Sequence, residues 1–70
     1  MNQIEIINAI VKERMRQDYL HPKNKKDEYL SILMEEVGEI ATAIQRKDKD
    51  NLKDELIHTA SVCVRWLEAL

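Results

Sequence analysis

The sequence contains no phenylalanine, one glycine (Gly38), one proline (Pro22) and one cysteine (Cys63). With so few of the residues that punctuate strands and tight turns, a β-rich fold is excluded in favour of helix. A single cysteine rules out an internal disulfide and a cysteine-rich zinc site, and such sparing use fits a reducing cytoplasm. No apolar run approaches the roughly 20 residues that span a bilayer. The start, Met1-Asn2-Gln3-Ile4-Glu5, lacks the basic and apolar stretches of a secretory leader. The expected location is therefore cytoplasmic. The formal net charge of -2 gives no general pull toward a nucleic acid polymer or an anionic membrane.

What is present is a globular mixture, with 44% hydrophobic and 34% charged residues. Leu, Ile, Glu, Lys and Ala are plentiful, and these favour helix throughout. Seventy residues allow one domain, here residues 1–70. A chain this short buries little core by itself and is marginal as a monomer.

The spacing predicts three helices, over about 3–19, 27–46 and 50–69. Asn2 caps the first, with Glu5 as its capping-box partner. Ile4, Ile7, Ile10 or Val11, and Met15 give its apolar repeat. His21-Pro22 ends it, because the residue before proline avoids helical angles. Lys23-Asn24-Lys25-Lys26 reads as a basic loop. Asp27 is the expected cap of the second helix. A connection as short as Arg46-Lys47-Asp48-Lys49 makes helices two and three an antiparallel hairpin.

On a helical wheel at roughly 100° per residue, Glu36 falls inside the broad apolar arc of the second helix and Glu39 at its border, whereas Glu35 faces water. On the third helix, Leu52, Leu56, Val62, Cys63, Trp66 and Leu70 form the apolar arc. Glu55 lies within it and His58 at its border. Each helix thus carries an inward glutamate and, three residues later, a polar border group on the same face. Glu39 and Glu55 are equidistant from Lys47, and so are Glu36 and His58. In an antiparallel hairpin all four groups fall at matching heights. Buried carboxylates crowded together need a cation or a basic partner to stay ionised. Magnesium is bound by several carboxylate oxygens, with waters and phosphate oxygens completing the shell. Taken singly, each of these acids is also compatible with a solvated or salt-bridged role.

The run Glu35-Glu36-Val37-Gly38-Glu39-Ile40, followed after a short gap by Asp54-Glu55-Leu56-Ile57-His58, resembles the MazG-like all-alpha nucleoside triphosphate pyrophosphohydrolases. That family carries E-x-x-E on one helix and E-x-x-D on the next. Glu36 and Glu39 match the first pair and Glu55 the first member of the second. His58 stands where the family has aspartate, and imidazole suits manganese, zinc or iron better than magnesium. The resemblance covers roughly residues 27–68. It implies hydrolysis of a nucleoside triphosphate to a monophosphate and pyrophosphate. Glu36, Glu39 and Glu55 would be the catalytic carboxylates. With His58 they would hold magnesium (Mg2+), or alternatively manganese (Mn2+).

Lys12, Arg14 and Arg16, with Lys23, Lys25 and Lys26, are the basic groups available for substrate phosphates or for a solvated face, Arg14 foremost, and Lys53 and Arg65 are weaker candidates. Trp66, Cys63, Met15 and Met34 read as packing residues. The expected fold is all-α, with three antiparallel helices completed as a four-helix-type bundle by homo-oligomerisation, at least as a homodimer. Apolar arcs this broad exceed what one chain covers. Two other readings stay open. Glu55-x-x-His58 also matches the Glu-x-x-His of di-iron carboxylate bundles. The chain would alternatively be a non-catalytic helical oligomerisation module of the same fold.

Overall fold

In the computed structural model, which describes residues 1–22 and 27–70, helix α1 spans Gln3–Leu20, α2 spans Glu28–Gln45 and α3 spans Lys49–Ala69. The basic loop expected at residues 23–26 lies outside the described residues. There is no strand among the described residues, and no helix is long and apolar enough to cross a membrane.

The helix ends follow local chemistry. Asn2 Oδ1 accepts the Glu5 N–H at 2.9 Å, and Glu5 Oε1 accepts the Asn2 N–H at 3.4 Å, which closes the predicted capping box. His21 caps the other end of α1, its N–H donating to the Gln17 carbonyl at 2.8 Å, just before Pro22. Asp27 sits at the head of α2 but its side chain makes no cap hydrogen bond, because its backbone is already helical (φ -78°, ψ -11°). An N-cap needs extended backbone to aim its side chain at the first turn. Asp48 meets that need at the head of α3 and accepts the Asn51 N–H at 3.1 Å.

The α2–α3 turn is a Schellman motif. The Lys47 N–H donates to the Ile44 carbonyl and the Asp48 N–H to the Ala43 carbonyl, both at 3.1 Å. Lys47 occupies the left-handed position, at φ 55°, where glycine is usual. Lys47→Gly is therefore expected to raise stability by about 0.5–1 kcal/mol, the relieved strain exceeding the extra unfolded-state entropy. Urea denaturation checks this, and a lowered midpoint would mean that the lysine side chain compensates for its backbone.

Helix α3 lies between the other two. It packs against both, while the α1 and α2 backbones make no close approach. Met1 shares a groove with Lys49 and Lys53 at the start of α3, and His21 meets Arg65 towards its end. These two helices therefore point the same way, and α2 runs against them.

The core is small and unusually polar. Tyr29, Ala43 and Val62 are the buried hydrophobic residues, and the Tyr29 and Trp66 rings stack at 6.2 Å. Glu13, Gln17, Glu55, Ser61 and Arg65 are buried as well. The α1–α3 seam is stitched by hydrogen bonds. The Ser61 hydroxyl lies 3.1 Å from the Ile10 carbonyl and 2.7 Å from that of Ile57. Arg65 donates to the His21 carbonyl at 2.6 Å, which ties α3 to the end of α1.

This polar seam reverses the expected orientation of α1. Ile4, Ile7, Val11 and Met15 all face outward, Ile4 at 71% exposure and Met15 at 61%. Met34, Cys63, Leu56 and Leu70, expected in the core, are exposed too. The physical reason is that α3 has two sides to offer, and a chain of this size cannot cover three broad apolar arcs. The accessible surface makes the point quantitatively. A folded monomer of 8.3 kDa exposes roughly 4,600 Å² by the general scaling of surface with mass. This chain exposes 5430 Å².

Candidate functional site

The hairpin brings the predicted carboxylates together as the spacing about Lys47 requires. Glu55 and His58 occupy one face of α3, a turn apart, and Glu36 approaches from α2. His58 Nδ1 lies 3.4 Å from Glu55 Oε2 and 3.8 Å from Glu36 Oε2. One ligand atom from each of Glu36, Glu55 and His58 falls within 4.8 Å of the others. Glu39 stands at the solvent-exposed rim.

The electrostatics of this group are strained. Oε2 of Glu36 and Oε2 of Glu55 are buried and have no hydrogen-bond partner. Burial pushes the Glu36 carboxyl up to about 7, helped by the adjoining Glu55 and by the charge of Glu39, with His58 acting in the opposite direction. Glu39 is raised chiefly by the Glu55 carboxyl beside it. Two unpartnered buried oxygens, held beside an imidazole nitrogen, are a donor set that a divalent cation satisfies. That chemistry fits these residues better than three acids left to repel one another.

A fourth carboxylate, absent from the sequence reading, comes from α1. Glu13 is 9% exposed, and its Oε2 lies 3.8 Å from His58 Nε2. Arg16 grips it with two hydrogen bonds of 2.7 and 2.9 Å, and Gln17 Nε2 donates a third at 3.0 Å. Burial alone would raise Glu13. The Arg16 and Gln17 hydrogen bonds and the nearby positive charges more than offset it, so the carboxyl is held below its ordinary value.

Two cavities open on this cluster. One, of about 320 Å³, is lined by Glu13, Arg16, Glu36 and His58 among others. The second, of about 290 Å³, has Lys12 and Arg16 on one wall and Asp54 and His58 on the other. Lys12 is thus placed beside the cluster. Arg14 is not brought there: it pairs with Glu68 at 2.7 Å and Asp18 at 3.6 Å. Lys53 lines a separate apolar groove of about 480 Å³ with Ile6, Ile10 and Leu56. Arg16 is the basic side chain that sequence reasoning undervalued. A Cβ at Gly38 would meet nothing within 4 Å, so packing inside the chain does not explain that glycine.

The match to known families falls on these same two helices. Residues 24–57 match the family model of the MazG nucleotide pyrophosphohydrolase domain, a span that includes Glu36, Glu39 and Glu55 and stops one residue before His58. No curated protein and no solved structure matches the chain.

Proposed function

We propose that this MazG-like chain hydrolyses a nucleoside triphosphate to the monophosphate and pyrophosphate in a metal-dependent reaction. The observation that carries the reading is the convergence of Glu36, Glu55 and His58 within 4.8 Å on the helices of the family match. Glu36, Glu39, Glu55 and His58 would hold the metal, magnesium or manganese. Such an ion, when bound, neutralises charge on phosphate oxygens and lowers the barrier to attack by water.

The chain's own groups supply the rest. Lys12 lines the cavity beside the carboxylates and offers charge to the polyphosphate, while Arg16 lines both cavities with its fork held on Glu13. A water oxygen bonds to the α-phosphorus while the bond from that phosphorus to the α–β bridging oxygen breaks, and pyrophosphate leaves with the bridging oxygen. Glu39, at the open rim, takes the water's proton. Residues 1–70 act as one helical unit in this reading, since all three helices contribute to the site. Cytoplasmic nucleotides are the accessible substrates.

The excess surface points to self-association. It amounts to roughly 850 Å² over the monomer scaling, close to the roughly 800 Å² per partner of a standard stable interface. A homodimer completing a helical bundle with the exposed stripes accounts for it.

The test is a panel of nucleoside triphosphates with magnesium or manganese, scored for products. Monophosphate and pyrophosphate in equal amounts are expected. In ¹⁸O-labelled water the label should appear in the monophosphate, since attack is at the α-phosphorus. No turnover on any member, or label in the pyrophosphate, would overturn the proposal.

A further inference from the structure

We infer that Glu13 is a positioning residue for His58: it fixes the imidazole proton on Nε2, leaves the Nδ1 lone pair facing Glu36 and Glu55, and so makes the site select manganese(II) over magnesium. This rests on the metal site proposed above and adds to it a group from outside the family-matched segment.

The argument begins with the surroundings of the ring. His58 has carboxylate oxygens on both sides, Glu13 at Nε2 and the Glu55–Glu36 pair at Nδ1. The two sides are not equivalent. The Glu13 carboxylate is already neutralised by the Arg16 fork, and it accepts from Gln17. The Glu36 and Glu55 oxygens nearest Nδ1 have no hydrogen-bond partner at all. A neutral imidazole has one N–H and one lone pair. If the N–H points to the Glu13 side, the lone pair joins two unpartnered oxygens around a common point. That is the arrangement in which a carboxylate behind a histidine orients it as a metal ligand.

Glu13 is also held where this role requires. The second hydrogen of Gln17 Nε2 donates to the His58 backbone carbonyl at 3.2 Å. Gln17 therefore ties the Glu13 carboxylate to the very residue whose ring it faces. The present 3.8 Å from Glu13 to Nε2 is longer than a hydrogen bond, so the inference requires the ring to turn toward Glu13 when Nδ1 ligates. A nitrogen donor in place of a carboxylate oxygen changes the metal preference, because imidazole favours first-row transition ions while magnesium demands oxygen.

The first experiment uses diamagnetic zinc(II), which imidazole also ligates. Nitrogen-15 correlation spectra of the zinc-loaded protein should show the His58 proton on Nε2 and the metal on Nδ1. In Glu13→Gln the share of the other tautomer should rise. The second loads manganese(II) alone and reads pulsed EPR. A single coupled nitrogen is expected in the parent, and it should vanish in His58→Asp. Manganese(II) affinity should fall about tenfold to a hundredfold in Glu13→Gln, with magnesium affinity changing much less. His58→Asp should shift preference back toward magnesium. A proton on Nδ1, no coupled nitrogen, or equal loss of both metals in Glu13→Gln would overturn the inference. Nitrogen coordination without nucleotide turnover would instead sink the hydrolase reading and leave this one standing. Turnover without nitrogen coordination would do the reverse.

Discussion

Glu36→Gln and Glu55→Gln are each expected to cut pyrophosphate release by roughly a hundredfold to a thousandfold, the usual effect of deleting one transition-state charge stabiliser. Glutamine keeps the shape of glutamate and removes the negative charge. The two side chains supply the buried oxygens that lack hydrogen-bond partners, so the loss should fall on metal retention and turnover and spare the fold. Metal should raise the melting temperature of the parent and leave that of either variant nearly unchanged, because a ligand stabilises only a state that binds it. Full activity in either variant would remove the carboxylate cluster from the mechanism.

Glu36→Gln carries a second expected result, in the metal-free protein. Folding raises the Glu36 carboxyl to about 7 from an ordinary value of 4.5, chiefly through burial. Between those values the folded protein holds a proton that the unfolded chain has released. Stability from this group is therefore complete below about 4.5 and lost as the pH rises through about 7. The variant has no such proton to lose. Its stability relative to the parent should grow between pH 5 and pH 8, by on the order of 1–2 kcal/mol after discounting for partial solvent exposure. For a chain this size that is a relative rise of several degrees in melting temperature. A difference that stays constant across this window would show that Glu36 is not buried among these acids in solution.

The parts of the structure that were legible in the sequence are those set by short-range chemistry. Asn2 and Glu5 lie three residues apart, and the capping box follows from that spacing alone. Glu36 and His58 meet because both lie eleven residues from Lys47, where the hairpin turns. The convergence of Glu36, Glu55 and His58 was thus readable from spacing, without knowledge of packing. Glu13 was not. Periodicity shows which residues share a face, not which face turns inward. On α1 the apolar repeat of Ile4, Ile7, Ile10 or Val11, and Met15 suggested the inner face. Of these only Ile10 is half-buried, and the buried positions are Glu13 and Gln17, which follow Ile10 at helical spacing. The clue was an apolar stripe that turns polar halfway along, the mark of a helix whose second half faces a polar site. The outward turn of Cys63, Met15 and Met34 was hidden in the same way, because periodicity does not say whether an arc is covered by its own chain, by another copy or not at all.

That alternative leads to the other large expected effect, which concerns Met34 and Val37. Leu30, Met34, Val37, Ala41 and Ile44 recur at intervals of four and three residues along α2 and are all exposed. This is the seam spacing of helices that pack side by side. Met34 is 59% exposed and Val37 43% exposed. In a protein that works as a monomer, Met34→Glu or Val37→Glu would change stability by no more than about 0.5 kcal/mol, as surface substitutions do. In a two-fold dimer each substitution occurs twice, and each places a charge where an apolar side chain was buried. The loss is then about 2–4 kcal/mol per substitution in the dimer, from forfeited burial and unpaired charge. Light scattering should show the parent with at least twice the mass of one chain, and the variants at the mass of a single chain or unfolded. The parent's melting temperature should also rise with protein concentration, as it must when folding is coupled to association. A parent that stays monomeric, with a melting temperature independent of concentration and unaffected by Met34→Glu, would return these stripes to the solvent and leave the small polar core to stand alone.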